Sequence, residues 1–532
     1  MANHQGYQKT ILLLDDDKEF ARPVVRWLKK AGYVVSLAVT LGEALQCLEK
    51  ERYHLAIVDV RLDDKDESNE GGMEFLHMRD ERELREILPV IVLTGNATTD
   101  NVLEAFTEYN VFSYLKKEPG YREKLLHEVE RAFREEIQIN FNLNYDVQSD
   151  GVLREVVKDI YWSDRPVVNP GLLASDVQDI FGKLFKNAES IYITMLKPGL
   201  SGAGLMQVDP TWAGGRPGPA RVVKVDRRDK SLLEKNNYET YVKNVMPHAT
   251  TQVSYEYTQF LGAAQYTFAE VGSIAFNEFD EFYRKSTLKA IENSLHDLIF
   301  NTCRFWYDPS TRKRANLQNL YYEAFNLDMA KLVMRINEIL PGFDPKNPTL
   351  AFEEDNSEVI NPLFWLNSHE RECTLSVKMC VTHGDMTGRN IMVDQTGRCW
   401  MIDFLRTYES HSLRDFVILE TDLKYRQIPE LPDQEYLELE KNLIRHGLHH
   451  TVPRPSPDWK DETKKLFSVV MLVRNLARQV AFGVANPSQS DYEYLVSLLM
   501  ATLNVVRLRH IPHARKMQAL KAASMICEAL ED

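Results

Sequence analysis

From residue 11 to residue 133, short apolar runs alternate with stretches of helical period, and this alternation limits the fold more than any other feature of the chain. Residues 11–14 are apolar throughout. Residues 18–31 carry Phe20, Val24, Trp27 and Leu28 at helical spacing and stop at Gly32. Residues 33–38 read as a strand, 42–50 as a helix and 55–58 as a strand; 90–93, 101–109 and 111–115 continue as strand, helix and strand. Strands that are apolar on both faces, separated by amphipathic helices, require a parallel sheet covered on both sides. In such sheets functional residues gather beyond the carboxyl ends of the strands.

At those ends stand Asp15, Asp16, Asp59, Thr94 and Lys117. Three carboxylates in one place repel unless a divalent cation sits among them, and a small hard cation such as Mg²⁺ takes oxygen ligands and screens an incoming phosphoryl group. One carboxylate can then act as the nucleophile. This ordered set resembles the receiver domain of two-component response regulators. The resemblance implies phosphorylation on Asp59, metal ligation by Asp15, Asp16 and Asp59, and a switch made of Thr94, Tyr114 and Lys117. It also implies a sensor histidine kinase as partner, with a homodimer through the receiver as a further expectation. Glu118 follows the lysine where many receivers have proline, which removes the usual reason for a cis peptide there. The loop after Asp59 is long and acidic, Asp63 to Glu70, and reads first as solvated.

A receiver covers about a quarter of the 532 residues, so the chain holds further domains. The net charge of −14 and the lack of a basic face argue against direct DNA binding. The run Arg507-Leu508-Arg509-His510 reads as a solvated helix end rather than a nucleic-acid patch. No apolar run reaches the length of a membrane span, and the N-terminus has no apolar signal core. The six cysteines form no CxxC pair, which fits a reducing cytoplasm.

The join, residues 135–187, has enough apolar residues to pack, with a helix expected over 174–185 capped by Ser175 or Asp176. A strand over 191–196 then leads into a glycine-rich turn containing Gly199, Ser201, Gly202 and Gly204. Backbone N–H groups in such a turn can approach phosphate, although hairpin turns are also glycine-rich. Lys224 sits in the apolar strand 221–225; it is either buried with a partner or at an edge facing water. The helix 231–245 offers Glu234 or Glu239 as its partner, and the spacing of fifteen favours Glu239. Further on, His383-Gly384-Asp385, Asn390 and Ile402-Asp403 bracket two short strands, 391–393 and 399–402, that present Asp385, Asn390 and Asp403 at one edge. Phosphoryl transfer needs a carboxylate near the attacking hydroxyl and oxygen ligands for Mg²⁺.

This second block resembles the aminoglycoside and choline phosphotransferase branch of the protein-kinase-like fold, and its phrasing is also similar to the ternary complex associated domain group. By that resemblance Asp385 is the catalytic base, Asn390 and Asp403 hold Mg²⁺, and Lys224 and the glycine-rich turn bind ATP. Arg389 reads either as neutralising transferred charge or as anchoring a phosphate in a non-catalytic nucleotide site, and Arg414-Asp415 would brace the catalytic loop. Residues 434–445, 462–482, 491–508 and 514–530 have helical period.

The fold class expected is therefore an α/β doubly wound parallel-sheet receiver, 8–134, a connector, 135–187, and an α+β two-lobed kinase-like domain, with an N-lobe at 188–272 and a C-lobe with C-terminal helices at 273–532. The function expected is a response regulator controlling an ATP-binding phosphotransferase with a protein or small-molecule acceptor. The alternative is a nucleotide-binding switch or scaffold of pseudokinase type without catalysis.

Overall fold

The computed structural model describes residues 8–62, 71–95, 99–145, 151–153, 156, 160, 170–196, 204–246, 252–267, 277–352, 358–427, 431–448, 453–483 and 487–531. These form two compact units, residues 1–232 with 253–267 and residues 233–252 with 268–532.

The first unit begins with a five-stranded parallel sheet. Strands β1 (Thr10–Leu14), β2 (Val34–Ala38), β3 (Leu55–Val58), β4 (Val90–Thr94) and β5 (Ser113–Lys116) lie in the order β2-β1-β3-β4-β5. Between them run helices α1 (Lys18–Lys30), α2 (Leu41–Lys50), α3 (Gly71–Glu81) and α4 (Thr99–Thr107), and α5 (Tyr121–Ala132) follows. The period-two rule of strands divides the core cleanly. Ile11, Leu13, Leu55, Ile57, Ile91 and Leu93 pack under Val24 and Leu28 of α1 and Leu125 and Val129 of α5. Leu12, Leu14, Ala56, Val58, Val90 and Val92 pack under Leu48, Phe75, Leu76 and Ala105 of α2 to α4. Both faces are covered, so the inner strands are apolar except for Thr10 at the start of β1 and Thr94 at the end of β4. Asp17 caps α1 by accepting from the Glu19 and Phe20 amides, and this cap ends the loop that carries Asp15 and Asp16.

The unit continues into a mostly antiparallel sheet. Strands β6 (Asn144–Tyr145), β7 (Ala188–Met195), β8 (Gly204–Trp212), β9 (Arg216–Pro217), β10 (Arg221–Arg227), β11 (Gln252–Tyr257) and β12 (Leu261–Thr267) run β11-β12-β10-β8-β7-β6, with β9 on β8. Its core joins Val177, Ile180 and Phe181 of the helix Pro170–Leu184, and Phe185 just after it, to Ile191, Ile193, Val208, Val223 and Val225.

The cap expected at Ser175 or Asp176 is not there. The helix starts at Pro170, a residue suited to the first turn because its missing N–H is an orphan donor anyway. Asp176 instead lies mid-helix and buried, accepting from Thr258 Oγ1 at 2.6 Å and from the Leu261 and Phe260 amides at 3.1 and 3.2 Å. Burial, with Asp179 close by, raises this carboxyl to about 7. One turn on, Asp179 lies 3.1 Å from Arg52 Nε and 3.2 Å from His54 Nε2, just ahead of β3. Gln259 donates to the Glu51 carbonyl at 3.1 Å, and Asn140 donates to the Ala188 carbonyl at 2.9 Å. Within residues 135–187, Asn140, Asp176 and Asp179 are thus each bonded to residues outside that segment.

The second unit is largely helical. Thr311–Asn316 pairs antiparallel with Thr374–Thr382, which pairs on to Tyr408–His411, and Ile391–Val393 pairs with Cys399–Met401. Helices Asp433–His446, Asp461–Ala481, Pro487–Arg507 and His513–Glu531 match the four expected from periodicity. Among them Arg474 holds buried Glu420 through two nitrogens at 2.7 and 2.8 Å, with Tyr494 donating at 2.6 Å. Although burial opposes it, the Arg474 guanidinium keeps this carboxyl down at about 2. Among the described residues, no helix is long and apolar enough to cross a membrane.

Candidate functional site

Three strand ends build the first site. β1 delivers Asp15 and Asp16, β3 delivers Asp59, and the segment after β5 delivers Lys117. Lys117 Nζ donates to Asp59 Oδ2 at 2.6 Å and to Asp15 Oδ2 at 2.9 Å. Its ammonium also lies 4.0 Å from the centre of the Phe20 ring, a cation–π contact that holds the flexible stem over the acids. Asp15 is buried, and that burial raises its carboxyl to about 6 against the pull of Lys117. Carboxylate oxygens of Asp15, Asp16 and Asp59 all lie within 4.8 Å of one another. Such a hard-oxygen set fits Mg²⁺, the ion that receiver domains hold at this cluster. Lys117 neutralises part of the charge that the ion would cover.

Thr94, at the end of β4, is buried, and its carbonyl accepts from the Lys117 amide at 2.9 Å. Tyr114 is half-buried with its hydroxyl enclosed; burial, with Asp59 nearby, pushes it up to about 12. All the described peptide bonds are trans, that before Glu118 included. The acidic loop 63–70 lies outside the described residues. Two residues of this site went unread in the sequence. Phe20 was assigned to the helix face, and Gly72 carried no signal. A Cβ at Gly72 would overlap the Asp59 carbonyl, so only glycine lets α3 start against that strand end.

The second site is a loop held by buried polar groups. Asp415, fully buried, accepts from the Gly384 amide at 2.7 Å, the His383 amide at 2.8 Å and Tyr307 Oη at 2.9 Å. His383 Nε2 lies 3.0 Å from the Ile402 carbonyl, and Thr407 Oγ1 donates to the His383 carbonyl at 3.2 Å. Gly384 has φ of +76°, and a Cβ there would overlap the Arg406 carbonyl. The His-Gly-Asp sequence is therefore a turn whose glycine is required on two counts.

This turn leaves Asp385 half-buried. Asn390 Nδ2 donates to the Asp385 carbonyl at 2.8 Å and to its Oδ2 at 3.2 Å. The Ile402 amide donates to the Asn390 carbonyl at 3.1 Å, which brings Asp403 alongside. Asp403 takes a left-handed conformation, φ +67°, and its Oδ1 accepts from the Leu405 amide at 3.4 Å. Asp385, Asn390 and Asp403 thus share one strand-pair edge.

The remaining expected residues scatter. Gly199, Ser201 and Gly202 lie outside the described residues; Gly204 opens β8. Lys224 is buried in β10, between β8 and β12, so the edge alternative falls away. On the helix Arg228–Tyr241, Glu239 is exposed, whereas Glu234 is buried and accepts from the Phe404 amide at 3.3 Å. Five residues apart on a helix means opposite faces. Arg389 lies 3.7 Å from Asp280.

Residues 11–130 match the response regulator receiver domain family, and residues 345–505 match ternary complex associated domain 9. The transcriptional regulatory protein GlrR of Escherichia coli (strain K12) is 30% identical over 125 residues, 24% of this chain and 26% of that protein. The regulatory protein VanR of Enterococcus faecium is 32% identical over 97 residues, 18% of this chain and 38% of that protein. The chain therefore spans about a quarter of the length of GlrR. Among solved structures, the CheY-like receiver domain protein from Methanospirillum hungatei JF-1 is 29% identical, covering 24% of this chain and 96% of that one with a TM-score of 0.22.

Proposed function

We propose that this protein is a cytoplasmic two-component response regulator, phosphorylated on Asp59 by a sensor histidine kinase, whose output is an ATP-dependent phosphotransferase of kinase-like type. The observation that carries the regulatory half is Lys117 bridging Asp59 and Asp15 with Thr94 beside it. In this reading Asp59 is the nucleophile, and Asp15 and Asp16 hold Mg²⁺ with it. Thr94 and Lys117 receive the phosphate oxygens, and Tyr114 fills the space that Thr94 vacates. Acyl phosphate formed with a small phosphodonor and Mg²⁺ is expected on Asp59 alone. Label persisting in Asp59→Asn would sink the assignment.

The output half rests on the convergence of Asp385, Asn390 and Asp403. Asn390 commits its donor end to Asp385, which leaves its amide oxygen, with Asp403, as the ligands for Mg²⁺. The cation would supply charge neutralisation on the phosphates of ATP. Asp385 would take the proton of the acceptor hydroxyl. Asp403→Ala should weaken MgATP binding by well over tenfold in calorimetry. Asp385→Ala should abolish turnover and leave MgATP affinity nearly unchanged, because the base touches the acceptor and not the nucleotide. A wild-type protein that binds MgATP yet turns over no acceptor would make this domain a nucleotide-binding switch.

A further inference from the structure

The helix Pro170–Leu184 joins two parts of the first unit through a pair of buried carboxylates. Asp179 reaches the receiver at Arg52 and His54, and Asp176 reaches the turn between β11 and β12 at Thr258, Phe260 and Leu261. Three residues apart, the two acids lie on one face of the helix. They meet little positive charge there.

Arg52 Nε lies 3.1 Å from Asp179 Oδ2, and another nitrogen of this guanidinium donates to the Gln8 carbonyl at 3.2 Å. His54 Nδ1 accepts from the Thr10 amide at 3.0 Å, so the ring hydrogen sits on Nε2, 3.2 Å from Asp179 Oδ1. In that bonding the imidazole brings no charge. Two further cations nearby serve the main chain: Lys183 donates to the Tyr257 carbonyl and Arg228 to the Arg82 carbonyl, each at 2.7 Å. Asp176 has no ion-pair partner among the described residues. Exposed Glu86 and Glu136 line, with both acids, a cavity of about 30 Å³, which has room for a water and opens a proton path to the surface.

Two buried carboxylates served by one guanidinium are an arrangement that a proton relieves. The bonding around Asp176 can take that proton without breaking. Thr258 Oγ1 has two acceptors in reach, Asp176 Oδ2 at 2.6 Å and the Leu261 carbonyl at 3.2 Å. A hydroxyl both donates and accepts. When the carboxyl is protonated, Thr258 turns its hydrogen to Leu261 and accepts from Asp176. Burial first, then the Asp179 charge, raises the Asp176 carboxyl to about 7, against the opposing pull of Thr258, Arg52 and the Phe260 amide.

We propose that Asp176 and Asp179 form a proton-linked latch between the receiver and the antiparallel sheet, closed while Asp176 holds a proton and loosened when that proton passes to water. The folded chain keeps a proton that the opened segment gives up between 3.8 and about 7. The hold of the latch therefore falls as pH rises through that window and is constant above it.

Hydrogen exchange on the full-length protein tests this, read by mass spectrometry on peptides covering residues 50–56 and 255–262 with the intrinsic rate at each pH removed. Asp176→Asn keeps the shape of the side chain and cannot ionise. The ratio of protection in the wild type to protection in this variant is expected to fall about tenfold per pH unit from pH 5 to 7 and to level off above. Asp15 and the histidines are common to both proteins and cancel in the ratio. Thr258→Val keeps the carboxyl and removes a hydrogen bond to its ionised form, so the levelling point should move to higher pH. A ratio that stays flat from pH 5 to 7 overturns the proposal. Where Asp176→Asn does not fold, the wild type and Thr258→Val decide the matter, and protection that levels at the same pH in both overturns it.

Discussion

The two acidic sites of this molecule use their carboxylates in opposite ways. In the receiver, Asp15 and Asp59 face each other and are held by one lysine, Lys117, that touches both. In the loop after Thr382, Asp415 has no ion-pair partner among the described residues and accepts from two backbone amides and a phenol. The first arrangement keeps charge available for exchange, since a metal or a phosphate can replace or recruit the lysine without disturbing the backbone. The second fixes the backbone itself. A site built to change state spends its carboxylates on mobile side chains, and a site built to stay in place spends them on main chain.

The largest expected effect breaks the rigid site. Asp415→Ala leaves three buried donors without an acceptor, and each costs about 1–3 kcal/mol. Urea unfolding of the full chain should show a loss of about 3–5 kcal/mol in the second unit. A loss under about 1 kcal/mol would mean that the loop does not depend on Asp415.

Next in size is Gly72→Ala. The new methyl must push α3 away from the Asp59 carbonyl, at a cost of about 1–3 kcal/mol. Gly42, near the start of α2, has open space around it, so Gly42→Ala should instead stabilise by about 0.5–1 kcal/mol. Equal effects of the two substitutions would remove the close-approach argument.

The receiver strands were legible because burial on both faces makes them short apolar runs, and the residues at their ends followed from strand order alone. The His-Gly-Asp block was legible for a different reason. Its glycine and its acids are fixed by backbone geometry that leaves few alternatives. What escaped was three-dimensional. The strand Thr311–Asn316 reads Thr-Arg-Lys-Arg-Ala-Asn, and its exposed first four residues, three of them basic, carry no strand pattern. Asp176 near a helix start looked like a cap, and only the packing of the Thr258–Leu261 turn against it shows otherwise. Spacing alone favoured Glu239, and it could not show that Glu234 is the buried one of the two. Phe20 beneath Lys117 is a neighbour across the fold that no local motif records.

The comparison sharpens further in the pH dependence of the exchangeable site. Burial raises Asp15 from 3.8 to about 6, so between those values the native state binds more protons than the unfolded chain. This group's contribution to stability therefore falls as pH rises through that window and is constant above it. Mg²⁺ needs the ionised form. Its affinity for the receiver should climb about tenfold per pH unit below 6 and level off above. A flat affinity from pH 5 to 8, read by the quenching of a tryptophan such as Trp27, would show that Asp15 is already ionised.

The smallest expected effect is on stability in Asp59→Asn, and it bears most directly on the contrast. The substitution takes one of two partners from Lys117, which keeps Asp15 at 2.9 Å. It also removes the repulsion between Asp59 and Asp15, one of the causes that raise Asp15. The loss and the gain oppose each other, so the metal-free proteins should differ by less than about 1 kcal/mol. Adding Mg²⁺ should then separate them, because a ligand that binds the folded state stabilises it by about 2.7 kcal/mol at a hundredfold excess over its Kd. The wild type, with three carboxylates, should gain this and the variant, with two, should gain much less. Equal gains would remove Asp59 from the metal site. A metal-free loss as large as that of Asp415→Ala would mean that Asp59 is held as rigidly as the loop, and the contrast between an exchangeable and a fixed site would fail.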